Sequence, residues 1–187
     1  CILFGDYSLI HEGDRVFRTN RVLEIPVGDE LLGRIIDPLG NSLDGKPTPD
    51  FRNRRPIMQQ APEVIHRQPV HRPLFTGIKT IDAMIPLGKG QRELIIGDRR
   101  TGKTTIAIDT IINQKGKNVL CVYVAIGKRL SAITEMVDIL KKYNALAYTT
   151  IVSTSAEDSP AFLYLSPYSG FTIAEFFMNQ GQDALVI

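Results

Sequence analysis

The stretch Glu93-Leu-Ile-Ile-Gly-Asp-Arg-Arg-Thr-Gly-Lys-Thr-Thr105 constrains the fold more than any other part of the chain. Its apolar run from Leu94 to Ile96 reads as a short buried strand that breaks at Gly97, and a helical pattern begins at about Lys103. Between them, Gly97, Gly102, Lys103 and Thr104 fit G-x-x-x-x-G-K-[ST], the Walker A or phosphate-binding pattern. The chemistry needs these residue types. Glycine lets the backbone bend and approach an anion with no Cβ in the way. Such a turn points successive N–H groups inward, and the helix that follows adds its free N–H groups and the positive end of its dipole. Lys103 is expected on the β- and γ-phosphates, and the Thr104 hydroxyl on Mg²⁺. The competing reading is a plain surface turn before a helix. The strand–loop–helix context argues against it.

Composition sets broad limits. The chain has 187 residues, 43% hydrophobic and 22% charged, which suits one domain, or one domain with a piece of another. A net charge of +2 gives no bulk electrostatic case for nucleic acid or an anionic membrane. Cys1 and Cys121 make no disulfide framework, and Cys121, inside an apolar run, reads as a reduced core thiol. No apolar run approaches the length of a membrane span, and no signal peptide is visible. The sequence opens on Cys1 and stops at Ile187 inside an apolar run, so it reads as a fragment.

Residues 1–36 read as β-structure, with strand-like runs at Arg15–Arg18, Arg21–Ile25 and Leu31–Ile36 separated by Gly/Asp turns. Their spacing suggests part of a small barrel or sandwich. Residues 37–75 carry prolines too densely for long helices or central strands, and the Arg52, Arg54, Arg55 cluster reads as a solvated surface. From Gly77 the periodicity changes. Helices are expected at about 77–85, from Thr104 to Ile112, from Leu130 to Lys142, and from the Ser159-Pro160 start through Phe177, the last one kinked by Pro167 and Gly170. Strands are expected at Val119–Ile126, Tyr148–Val152 and Ala184–Ile187. This alternation is the pattern of a mostly parallel α/β sheet, whose ligands sit at the carboxyl ends of the strands. The phosphate loop and Gly127-Lys128-Arg129 both fall at such ends. His11, His66 and His71 are isolated and not at metal-ligand spacing, and Glu135 and Asp138 read as a solvated helix face. Tyr164, Tyr168, Phe171, Phe176 and Phe177 read as core or subunit-interface packing rather than a base-stacking platform.

Several segments together resemble the alpha subunits of F-type ATP synthases. They are Gly88–Arg99 with Thr101-Gly-Lys-Thr104, Ile106–Lys115, Pro26-Val-Gly28 with Glu30–Arg34, Thr76–Lys79 with Asp82, Tyr123–Gly127, and Pro167–Gly170. The resemblance implies the end of an N-terminal β-barrel over residues 1–25. It then implies a RecA-like P-loop nucleotide-binding domain over 26–187, stopping before the acidic pair that completes the Mg²⁺ site. It implies ATP or ADP with Mg²⁺ as ligands, and a proton-translocating ATP synthase as the setting. Beta subunits would alternate with alpha in a ring of six, with gamma and delta-type stalk subunits and, indirectly, a membrane sector. The location implied is peripheral, at the cytoplasmic face of a bacterial membrane or the matrix or stroma side of an organellar one. The short connection at Lys115–Asn118 is similar to bacterial or plastid forms.

The nucleotide-binding residues implied are Gly97, Asp98, Arg99, Arg100, Thr101, Gly102, Lys103, Thr104, Thr105 and Lys128, with Thr104 on the metal and no catalytic residue. Asp98 would brace the loop, and Arg99 would reach the phosphates or a neighbouring subunit. Lys128 stands where the resemblance places the glutamate of catalytic beta subunits, and a protonated lysine cannot act as a base toward water. Arg100 and Lys128 both replace the glutamine usual in alpha subunits. Either they turn to solvent, or they tighten phosphate binding and partly replace Mg²⁺. Three other readings stay open: a catalytic ring ATPase of the same superfamily, such as a beta-type or secretion-export ATPase; an RNA-translocating helicase ring; and a structural subunit that no longer binds nucleotide.

Overall fold

The computed structural model describes residues 3–4 and 7–187. Its centre is a four-stranded, wholly parallel sheet in the order β2 (Ile35–Ile36), β7 (Thr149–Ser155), β6 (Val119–Lys128), β8 (Asp183–Val186). Two small antiparallel pairs flank it, β1 (Glu24–Val27) with β3 (Asn53–Pro56), and β4 (Pro73–Leu74) with β5 (Leu87–Gly88). The helices are α1 (Lys79–Met84), α2 (Lys103–Ile112), α3 (Leu130–Lys142) and α4 (Pro160–Asn179). The expected α/β class is present, and so is the order of elements from Lys103 onward.

Two-residue alternation along β6 divides the core. Cys121, Tyr123 and Ala125 face a cluster built with Ala107, Ile108 and Ile111 of α2 and Ile133, Met136, Val137 and Leu140 of α3. Val122 faces the other way, into a cluster with Ile25, Val27, Ile57, Leu165, Ile173 and Phe177. The apolar runs of β6 and β7 are therefore continuous because both faces are covered. Cys121 is a free, buried thiol, and burial pushes its pKa up to about 12.

Helix α4 lies close on β6. A Cβ at Gly170 would come within 2.3 Å of Val124 Cγ2, so glycine permits the approach. Its hydroxyls tie it to the irregular segments: Ser169 donates to the Pro38 carbonyl at 2.6 Å, and Thr172 to the Ile57 carbonyl at 3.1 Å. Assigned as one helix, α4 passes through Pro167. Ser159 occupies its N-cap position, but its hydroxyl makes no capping bond and is buried without a partner.

The proline-rich segment is anchored by Arg34. Its guanidinium donates to both Asp44 oxygens, to Ser42, and to the Lys46 and Pro47 carbonyls. The Arg34–Asp44 pair is 2.6 Å apart and almost fully enclosed. Hydrogen bonding from Arg34 holds the Asp44 carboxyl down at about 2. Arg55, in the cluster read as solvated, stacks over Phe176 at 5.3 Å.

Two expectations are corrected. Leu94–Ile96 forms no strand. It joins no ladder, and Leu94 and Ile96 are 78% and 85% exposed. An apolar run becomes a strand only where an edge pairs with it, and here the sheet is built from β2, β7, β6 and β8, none of which pairs with this run. Arg15–Arg18 is likewise irregular, with Val16 and Phe17 in solvent. Among the described residues before Glu24 no strand forms; β1 pairs with β3 and packs Ile25 and Val27 into the core beside α4. The early run Ile2-Leu3-Phe4 lies partly outside the described residues.

Candidate nucleotide-binding site

Three pieces of chain meet at the carboxyl end of β6. The first is the loop from Gly97 to Gly102. A Cβ on Gly97 would meet Thr101 Oγ1 at 2.9 Å, and Gly102 has φ +90°, in the left-handed region. Both positions therefore favour glycine. Arg100 also has positive φ, +64°, which a side chain tolerates only at some cost in strain. Thr101 Oγ1 donates to the Asp98 carbonyl at 2.8 Å. Lys103 Nζ donates to the Gly97 carbonyl at 2.5 Å and also to the Asp98 carbonyl. Asp98 thus braces the loop through its backbone oxygen.

The second piece is the start of α2. Gly102 is its N-cap, and no side chain caps it. The N–H groups of its first turn have no partner within the helix and face outward with the positive end of the dipole. Together with the glycines they make a cradle suited to phosphate. Gly97, Asp98, Arg99, Arg100, Thr101, Thr104 and Thr105 are all exposed, so nothing in the described chain covers the cradle.

The third piece is the end of β6. Its register with β7 runs to Ala125↔Ser153, then resumes at Lys128↔Ser155, so one extra residue sits on β6. Strict alternation would put Gly127 on the face of Tyr123 and Ala125. The bulge puts Lys128 there instead, and Gly127 takes φ +60° to allow it. The consequence is visible as a cavity of about 60 Å³ lined by Thr104, Tyr123, Ala125, Lys128, Ala132, Ile133 and Met136. Burial raises the pKa of Tyr123. Thr104 and Lys128, both exposed, are brought together at its lining; Arg99 and Arg100, also exposed, do not line the cavity.

Sequence reasoning missed the cavity's apolar walls. Tyr123 and Ala125 were legible as one strand face, but the bulge that adds Lys128 was not. It also missed the ties at the root of the loop segment. Asp183, at the start of β8, accepts from Lys89 Nζ at 2.5 Å and from Arg72 at 2.7 Å. These bonds, led by the one from Lys89, hold the Asp183 carboxyl below its usual range.

His11, His66, His71, Glu135 and Asp138 are exposed. Among the described residues no cluster of His, Cys, Asp and Glu could hold a metal ion, and no helix is long and apolar enough to cross a membrane. Phe176 and Phe177 are core, whereas Tyr164, Tyr168 and Phe171 are exposed on α4.

Comparison with known proteins agrees with this geometry. The family model "ATP synthase alpha/beta family, nucleotide-binding domain" matches residues 77–187. Proteins named ATP synthase subunit alpha are similar along all of this chain: 56% identical in Acholeplasma laidlawii, 54% in Petrotoga mobilis and 53% in Caldanaerobacter subterraneus subsp. tengcongensis. The chain spans 37% of the length of each. The phosphate loop, the end of β6 and three of the four strands of the central sheet lie within the matched residues, and the chain belongs to the ATP synthase alpha/beta family.

Proposed function

We propose that this chain is the nucleotide-holding part of an ATP synthase alpha subunit, binding ATP or ADP without splitting it. The phosphates would lie on the N–H groups of Gly97–Thr105, with Lys103 turning from the loop carbonyls to the anion. The relatives named as alpha subunits support the assignment to that subunit. Residues 1–25 would then belong to a preceding domain. Beta subunits, with gamma and delta-type stalk subunits, would be the partners in a proton-translocating assembly peripheral to a membrane.

One observation carries the non-catalytic reading. Lys128 shares a cavity with Thr104. Hydrolysis needs an acceptor there to orient and polarise water. A lysine ammonium has three donors and no acceptor. The residues fit a nucleotide's phosphates well. They fit Mg²⁺ on the Thr104 hydroxyl poorly, because the bulge sets a cationic side chain against the same small space.

The test is to load the full-length protein with ATP, remove free nucleotide, and identify what stays bound. Stoichiometric, intact ATP is the expected result. Sustained hydrolysis by the isolated protein would indicate a catalytic ring ATPase instead. Failure to retain any nucleotide would indicate a structural subunit, and salt-sensitive RNA binding a helicase-type ring.

A further inference from the structure

The misfit around Thr104 has a direct chemical reading that rests on the nucleotide-holding role. We propose that Lys128 takes the electrostatic place of the divalent ion, so that this site binds the nucleotide's phosphates with little dependence on Mg²⁺.

Three features converge on it. The β6 bulge places Lys128 on the same face as Tyr123 and Ala125, and Gly127 at φ +60° supplies the backbone turn. Bulges near ligand sites commonly re-aim one side chain in this way. Lys128 then lines the cavity of about 60 Å³ together with Thr104, the residue whose hydroxyl would otherwise ligate metal. The remaining lining is Tyr123, Ala125, Ala132, Ile133 and Met136, largely apolar, while Lys128 and Thr104 are themselves exposed, so both can be reached by an incoming phosphate. An ammonium and a divalent cation at one such place repel each other. An ammonium and a triphosphate attract, and a flexible lysine stem suits a point contact to phosphate. Magnesium also gives up its bound waters reluctantly and demands near-octahedral oxygen donors, which lysine cannot supply.

The experiment measures ATP affinity of the full-length protein by calorimetry, in excess Mg²⁺ and in EDTA. The native protein should show affinities within about 3-fold of each other, the electrostatic contribution of the metal being already supplied. Lys128→Gln should lose about 10-fold or more in EDTA and little in Mg²⁺, as expected for one charge-assisted phosphate contact. Lys128→Arg should restore the metal-independent affinity, which shows that charge rather than packing is responsible. Thermal unfolding of each variant in the absence of nucleotide identifies any folding defect, in which case the native Mg²⁺/EDTA ratio alone decides. Native binding that collapses in EDTA would overturn the inference while leaving the nucleotide-holding role intact. Absence of binding under both conditions would overturn both.

Discussion

β6 and the segment before the phosphate loop are similar in composition and opposite in surroundings. Val119, Cys121 and Val122 are nearly inaccessible, whereas Leu94 and Ile96 are mostly exposed. β6 has a ladder on each side, β7 and β8, and helices over both faces. Leu94–Ile96 has neither. Burial here follows from hydrogen-bonded neighbours, not from apolar character alone. The molecule thus separates a scaffold, held by ladders and two apolar clusters, from a loop segment held by a few polar ties. That division suits binding: the scaffold fixes the end of β6 and the start of α2, and the loop keeps free N–H groups for an anion.

Substitutions should divide along the same line. The largest stability loss is expected in the scaffold. Phe177 is fully buried beside Ile25, Ile173 and Val122, so Phe177→Ala should cost about 3–5 kcal/mol in urea unfolding. Next is the enclosed pair at the scaffold's edge. Asp44→Asn leaves the Arg34 guanidinium without its counter-charge and should cost about 3 kcal/mol. The Asp44 carboxyl is held down at about 2 in the folded state, below its ordinary value. Its contribution is therefore present above the ordinary aspartate range and lost as pH falls toward about 2. Unfolding midpoints measured against pH should fall in the native protein and be flatter in Asp44→Asn.

The loop should behave differently. Lys103 bonds only to loop oxygens, so Lys103→Ala should leave the unfolding midpoint nearly unchanged. ATP affinity should fall about 10- to 100-fold by calorimetry. A midpoint shift comparable to that of Phe177→Ala would break the division between scaffold and loop. The smallest effect is expected at the root of the loop segment. Asp183→Asn loosens Lys89 and Arg72, a partly exposed set of ion pairs, and should cost about 1 kcal/mol or less. Hydrogen exchange should nonetheless rise locally around Lys89–Gln91.

Much of this was legible because local signals and tertiary surroundings agree. The amphipathic pattern of Leu130, Ile133, Met136, Val137 and Leu140 places α3, and the basic Lys141-Lys142 pair marks its last turn. The unbroken Val119–Ile126 run gives β6, and the loop motif gives the start of α2. What was not legible depends on distant partners. Ile35–Ile36 joins the sheet only because Ile151–Val152 lies beside it. Leu94–Ile96 has strand composition but no ladder partner. The residues before Glu24 carry strand-like runs that find no edge among the described chain. In the site, the motif gave the cradle, and Gly127 hinted at a break. The one-residue bulge that turns Lys128 toward Thr104 is a property of β6 and β7 together.

The central claim is that the loop holds a nucleotide which Lys128 prevents the site from splitting. A single-turnover experiment tests it most directly: full-length protein in excess over γ-labelled ATP, quenched over time, with bound ATP and released phosphate counted separately. The account predicts that labelled ATP is captured and remains intact, with phosphate release no faster than in a no-protein control. Capture followed by release of phosphate in one exponential phase would contradict it.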